Sequence, residues 1–360
     1  MQSLRTTLCM LAFGLVSWTA AHGATTRYVA TNGAAVSPFT NWPNAATTIT
    51  GAFAVAVDGD TILVSNGVYT AGVGPSIGFT LRGVNGAGVT IIDRGGAGSC
   101  ILVYASGAGN PIRISGFTLR NGNSVNSGGL MVRYDRSTYV NDCIISNNVG
   151  TQNGGGVRSF TDSGAGLLVM SNCWIVNNIA TNAGYGAGGG VYWAGTASTA
   201  QFYNCVISNN QSIDGGGLYF YSGNGLVESC NISSNSATSA GGGIRFGTAV
   251  TINNCTIDGN VATSAGGGIC AKSGGSWSYI SNSIIRNNSG SRAGSSGTAG
   301  GGIWFYQGNC KMTGCLVTGN RSLAGDGYGA GLGFEDTTYT SVVQNTTIVS
   351  NTSAYRGGGL

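Results

Sequence analysis

The sequence predicts an all-β fold, a right-handed parallel β-helix solenoid closed at its start by a short capping helix. Three observations carry that prediction. Nine times an apolar residue is followed three and five places on by inward-type residues and eight places on by Asn or Gly, at a period of 25 to 32 residues. Glycine triplets such as Gly154-Gly155-Gly156, Gly215-Gly216-Gly217 and Gly241-Gly242-Gly243 lie between the copies. Segments with an apolar residue at every second place follow the triplets, as in Ile244-Arg245-Phe246 and Ile303-Trp304-Phe305. A fixed period of this length means a solenoid, whose units bury their apolar faces only against their neighbours.

The elements follow in order. Arg5, an apolar stretch from Leu8 to Val16 and the small residues Ala21 and Gly23 read as a secretory signal peptide, residues 1–23, cut after Gly23. Residues 24–360 are then a single parallel β-helix domain. Asn44 to Val57 sets Ala46, Ile49, Phe53 and Val57 on one helical face, the expected cap over the first rung. Asp58-Gly59-Asp60 turns the chain into the first strand, through Val64. A degenerate copy, Ile114-Phe117-Leu119-Gly122, precedes regular ones such as Val140-Cys143-Ile145-Asn148, Met170-Cys173-Ile175-Asn178, Phe202-Cys205-Ile207-Asn210 and Ile252-Cys255-Ile257-Asn260. Ile280-Ser283-Ile285-Asn288, Met312-Cys315-Val317-Asn320 and Val343-Thr346-Ile348-Asn351 continue the series. Asn351 to Leu360 stops inside a glycine run with no cap, so the domain is expected to be truncated at its C-terminal end and the longer product to carry further coils and any anchor.

Within a unit the step from Cys255 to Ile257 has the strand period of two, while the step from Ile252 to Cys255 breaks it and demands a bend. A leucine-rich repeat shares this strand pattern, but its other half needs helix, and three successive glycines each cost about 0.5 to 1 kcal/mol against helix. Stacked coils place like residues over like. The Asn column from Asn148 to Asn351 is expected to bond amide to amide, and the column Cys143, Cys173, Cys205, Cys230, Cys255, Cys315 to form an interior stack of small hydrophobes. A disulfide between adjacent rungs is the alternative there. Metal binding and cofactors are not expected, since the only histidine, His22, leaves with the signal.

Composition excludes several classes. With 42% hydrophobic and 8% charged residues the chain is no disordered polyelectrolyte, and no apolar run beyond the N-terminus is long enough to span a bilayer. Lysines number two, Lys272 and Lys311, and the arginines are scattered, too thin a charge density for nucleic acid.

The opening Tyr28-Val29-Ala30, Trp42, Asp58-Gly59-Asp60-Thr61-Ile62 and Gly67-Val68-Tyr69 resembles that of secreted bacterial β-helix proteins of the pectin-lyase-like superfamily. The repeats are similar to those of polymorphic outer-membrane proteins, with Ile175-x-x-Asn178 and Gly188-Gly189-Gly190-Val191 in place of their Phe-x-x-Asn and Gly-Gly-Ala-apolar signatures. That resemblance covers nearly the whole mature chain and implies the fold, while the fold hosts many functions.

An enzyme on this scaffold would be a polysaccharide lyase or glycoside hydrolase, which needs convergent carboxylates or carboxylates beside a basic residue. The best candidates are Asp135 with Asp162 near Arg133 and Arg158, and Gly325-Asp326-Gly327 reads as a turn. More suggestive are the outward places after the glycine triplets, which hold Tyr192, Tyr219, Tyr221, Trp304 and Tyr306 with Arg158, Arg245 and Lys272 interspersed. Such a stripe suits polysaccharide or cell-surface glycan; the alternative is that loops cover the rings. The expected product is a secreted or cell-surface bacterial scaffold, adhesin-like, in the outer membrane setting, with Tyr192, Tyr219, Tyr221, Arg245, Trp304 and Tyr306 as the ligand-binding candidates. A carbohydrate-active enzyme is the alternative.

Overall fold

Each coil turns three corners, and the residues at those corners explain the repeat. A computed structural model describes residues 23–70, 72, 74–107, 109–133, 135–161, 164–181, 187–291, 300–323, 329–335, 338–354 and 357–360. Residues 1–22, with Arg5, Cys9 and His22, lie outside the described residues, as do Asp162 and Gly325-Asp326-Gly327. At the first corner the residue just before the cysteine place has positive φ: Asp142, Asn172, Asn204, Ser229, Asn254, Asn282, Gly314 and Asn345. At the second, the residue before the ladder asparagine does, as in Asn147, Asn177, Asn209, Ser234 and Asn287. Asn tolerates the left-handed region better than other side chains, which is why these pairs read Asn-Cys and Asn-Asn. The third corner belongs to the first glycine of each triplet, such as Gly215 at φ +60.

The segments between corners form three parallel sheets of 19, 11 and 9 strands. Every pairing in the register is parallel, and the predicted columns align: Val140, Met170, Phe202, Val227 and Ile252 in the long sheet, and Ile145, Ile175, Ile207, Ile232, Ile257 and Ile285 in the second. All are fully buried. Each such Ile or Val contributes roughly 1.5 to 3 kcal/mol before chain entropy is counted.

The asparagine ladder is continuous. Asn210 Nδ2 donates to Asn235 Oδ1 at 3.0 Å and to the Ile175 carbonyl at 2.8 Å, while its backbone N–H donates to the same Asn235 Oδ1 at 3.0 Å. This set repeats from Asn148 to Asn351. The glycines beside it are there for room: a Cβ on Gly217 would lie 2.6 Å from the Gly243 carbonyl oxygen and 3.1 Å from Asn235 Nδ2.

The cysteine column differs from expectation in its chemistry. All nine described cysteines are buried free thiols. Those of the repeated column are hydrogen-bonding groups and not only small hydrophobes: Cys205 Sγ donates to the Tyr203 carbonyl at 3.3 Å, and the Cys205 N–H donates to Cys230 Sγ at 3.4 Å. Ser283 performs the same two tasks, donating to the Ser281 carbonyl at 2.7 Å and accepting the Cys255 N–H at 3.0 Å. The place therefore selects a small side chain that both gives and takes a hydrogen bond at a left-handed corner, with Phe117 the exception among the copies. Hydrogen-bonded neighbours Cys143 and Cys205, together with burial, push the Cys173 thiol well up.

The cap is shorter than the apolar spacing predicts. The helix runs only Ile49–Phe53, started by Thr48, whose side chain accepts the Gly51 N–H at 3.0 Å. Ala46 pairs instead in a parallel bridge with Val29: its N–H donates to the Tyr28 carbonyl and its carbonyl accepts the Ala30 N–H, both at 2.9 Å. Val57 is 38% exposed, its N–H taken by the Asp60 carboxylate at 3.1 Å. Asp60, fully buried, also accepts from Thr25 N and pairs with Arg27 Nε at 3.1 Å.

Asp58 ties this opening to later coils by accepting from Gly78 N, from Asn110 N and Nδ2, and from Arg136. Burial raises its pKa, but these donors outweigh burial and hold it below the ordinary carboxylate range.

Candidate functional site

The outward column after the glycine triplets is in register along the long sheet: Met131, Arg158, Tyr192, Tyr219, Arg245, Cys270, Trp304 and Gly333. Parallel, in-register pairing brings side chains of successive rungs into contact, so the surface is decided by which residues are neighbours in this column. At its centre three tyrosines meet. Tyr192 and Tyr219 lie edge to face with centroids 5.8 Å apart, Tyr219 and Tyr221 likewise at 6.1 Å, and Tyr192 and Tyr221 are nearly parallel at 6.2 Å. Tyr221 is 58% exposed, Tyr219 half-buried and Tyr192 only 9% exposed. Burial, then the neighbouring Tyr219, pushes the Tyr192 hydroxyl up to about 12, and burial raises that of Tyr219. Both stay protonated donors at neutral pH.

These rings, with Asn153, Ala187, Ile213 and Asp214, line a depression of about 310 Å³. The rim is polar. Asp214 pairs with Arg245, whose guanidinium stands 5.5 Å over the Tyr219 ring. Burial works against the charge of Arg245, but the Asp214 carboxylate outweighs it and raises the pKa. On the other side Arg158 lies 4.9 Å over Phe160 and 6.0 Å over Tyr192 and donates to Asn126 Oδ1 at 3.0 Å. The arrangement offers stacking faces, hydroxyl donors and a neutralised ion pair, suited to a flat hydroxylated ligand.

Residues 187–359 match the family model described as "Right handed beta helix region". The fold is that of a right-handed parallel β-helix. The β-helix is similar to the catalytic unit of thermostable GH87 alpha-1,3-glucanase from Streptomyces thermodiastaticus strain HF3-3, at 14% identity and a TM-score of 0.35, over 85% of this chain and 67% of that one. No curated protein matches the sequence.

Two of the sequence-predicted site residues are not presented to solvent in the β-helix. Tyr192 is covered by its neighbours Tyr219 and Tyr221. Trp304 is 2% exposed and packs with Ala240, Ala265 and Cys270, with Tyr306 against that cluster. The reason lies one rung on: Gly333 has no side chain, and a Cβ there would stand 2.3 Å from Trp304 Cε3, so the indole occupies the vacated place. The stripe is thus interrupted, with Tyr219, Tyr221 and Arg245 assembled at one site and Trp304 and Tyr306 apart from it. Tyr306 is half-buried, with the Lys272 ammonium 5.1 Å over its ring.

Of the enzymatic candidates, Asp135 lies close against Gly164 and Arg133 stands 5.2 Å over Phe160, while Asp162 is outside the described residues. Among the described residues no group of three or more His, Cys, Asp or Glu is placed to hold a metal ion. No described helix is long and apolar enough to cross a membrane.

Sequence reasoning passed over Trp277 and Tyr279, 39% and 46% exposed, whose rings are nearly parallel at 6.4 Å. Their signal was available: both alternate with Ser278 directly before the core residue Ile280, which sets them outward.

Proposed function

We propose that this β-helix is an exported, cell-surface scaffold that binds glycan through the outer face of its long sheet, at the Tyr192, Tyr219 and Tyr221 cluster. The observation that carries the reading is the contact of three tyrosine rings over a depression rimmed by the Asp214 and Arg245 pair. Ring faces stack on the C–H faces of sugars, and the tyrosine hydroxyls and Asn153 supply hydrogen bonds to sugar hydroxyls. A binding role is favoured over hydrolysis because, among the described residues, Asp214 is the one acidic side chain lining the depression and is engaged by Arg245, where glycoside hydrolysis uses two carboxylates.

A glycan array tests it. Wild type is expected to bind a restricted set of glycans, and the double variant Tyr219→Ala with Tyr221→Ala to lose about tenfold in affinity for them. Unchanged binding by that variant would count against the site. Export is part of the proposal and rests on residues 1–23: fused to a reporter enzyme, they should carry it out of the cytoplasm, and a reporter retained inside would remove this part.

A further inference from the structure

The widest departure from the repeat lies two coils beyond the tyrosine cluster. Neighbouring coils give the long sheet two separate strands per turn, such as Val191–Ala194 and Thr199–Tyr203. Here one 13-residue strand, Ile269–Ser281, runs beside an 11-residue strand, Ile303–Thr313. Their pairing slips between Ala271 and Lys272 and again between Lys272 and Trp277. The slack is taken up at Ser273 to Ser276, where Ser273 Oγ donates to the Ser276 carbonyl at 2.9 Å.

What the departure delivers is a pair of rings. Trp277 and Tyr279 stand side by side on the outer face with planes 24° apart, both exposed. Their frame is polar. On the next rung Trp277 faces Asn309 and Tyr279 faces Lys311, and on the preceding rung Tyr279 faces Thr251. Asn309 is held by the Gly275 carbonyl, to which its Nδ2 donates at 2.6 Å, and by Thr340, whose N–H donates to its Oδ1 at 2.8 Å. The two lysines of the whole sequence, Lys272 and Lys311, both belong to this coil pair and are exposed. Neither forms an ion pair among the described residues.

Two exposed rings in a polar frame do not make the contiguous apolar patch that a protein partner buries at the centre of an interface. They do match the flat C–H faces of successive sugar units. Ammonium groups with no carboxylate partner among the described residues favour an anionic substituent nearby. We infer that Trp277, Tyr279, Lys272 and Lys311 form a second binding platform, for an acidic polysaccharide: pyranose faces stack on the two rings, and carboxylate or sulfate groups of the same chain meet the lysines. The inference rests on the reading that the outer face of the long sheet binds glycan, and adds the charge of the ligand.

A matched series of probes tests it on the full chain: dextran, carboxymethyl dextran and dextran sulfate, with single-stranded poly-dT as a non-glycan polyanion, each titrated by calorimetry. The acidic dextrans are expected to bind more tightly than dextran, the two of them separating carboxylate from sulfate, with an affinity that falls as salt rises. Trp277→Ala with Tyr279→Ala should weaken that binding about tenfold or more with an unchanged melting curve, since both rings are exposed. Lys272→Gln with Lys311→Gln should abolish the preference for the acidic dextrans over dextran.

Equal affinity for all three dextrans, tighter binding of poly-dT, or wild-type affinity in the Trp277 and Tyr279 double variant would each overturn the inference. Acidic binding lost in that variant but kept in Tyr219→Ala with Tyr221→Ala would support this platform as a site separate from the tyrosine cluster. Array glycans bound through the tyrosine cluster, with no acidic dextran bound, would overturn this inference and leave the cluster standing.

Discussion

The inside of the coil and the outside of its long sheet obey opposite rules. Inside, the column Asn148, Asn178, Asn210, Asn235, Asn260, Asn288, Asn320 never changes, and every member is fully buried with its amide engaged. Outside, one column runs Arg158, Tyr192, Tyr219, Arg245, Cys270, Trp304, Gly333, with no residue type holding for more than two rungs. Repetition marks what the fold needs, and departure from it marks where a surface is made particular. The tyrosine cluster, the buried indole over Gly333 and the Trp277 and Tyr279 pair are all such departures.

Asn260→Ala removes the acceptor of Asn235 N and Nδ2 and the donor to the Ile232 carbonyl. Orphaning buried groups costs about 1 to 3 kcal/mol each, so a loss on the order of 3 kcal/mol or more is expected, read as a clear fall in the melting temperature of the purified protein. An unchanged melt would show that the ladder is ornament.

Next in size is Gly217→Ala, whose added Cβ meets the Gly243 carbonyl oxygen at 2.6 Å. Overpacking of this kind costs about 1 to 3 kcal/mol, measurable in the same melt.

The cysteine column sharpens the contrast between a polar and an apolar reading of the interior. If the place needs a hydrogen-bonding group, Cys230→Ser is expected to melt above Cys230→Ala, by about 1 kcal/mol, because Ala leaves Cys205 N without its acceptor. The reverse order would restore the plain hydrophobe.

Acid probes the junction at Asp58. A carboxylate whose pKa is lower folded than unfolded adds stability above its unfolded value of about 3.9, and that stability is lost as pH falls below it. The melting temperature should therefore fall with acid more steeply in wild type than in Asp58→Asn.

On the outside the expected effect on stability is smallest: Tyr221→Ala, at a 58% exposed ring, should change stability by less than about 0.5 kcal/mol. A large shift there would mean that the tyrosine cluster belongs to the fold.

Much of the interior was legible because it depends on one coil at a time. The period of two around Cys255 and Ile257, the Asn column and the glycine triplets each follow from local geometry, and all align in the register. Exposure was not legible in the same way, since it depends on the next rung. Whether Trp304 faces water turns on Gly333, and whether Tyr192 does turns on Tyr219 and Tyr221. The cap misled for another reason: Ala46 has helical spacing to Ile49, but its backbone groups are claimed by Tyr28 and Ala30. The sulfur hydrogen bonds were hidden because Cys resembles a small hydrophobe, although Ser283 and Thr346 at the same place were the clue.

Successive ladder asparagines are separated by 25 residues at Asn210 and Asn235 and by 32 at Asn178 and Asn210, yet the amide contact is 3.0 Å in both. The interior is therefore blind to how far the chain wanders between its fixed points. Material can be lengthened, shortened or exchanged in those detours without retuning the rungs above and below. For an engineer this is a backbone on which foreign loops could be spliced at chosen heights. For a lineage under pressure to alter its surface, it is a way to change appearance while the frame stays put.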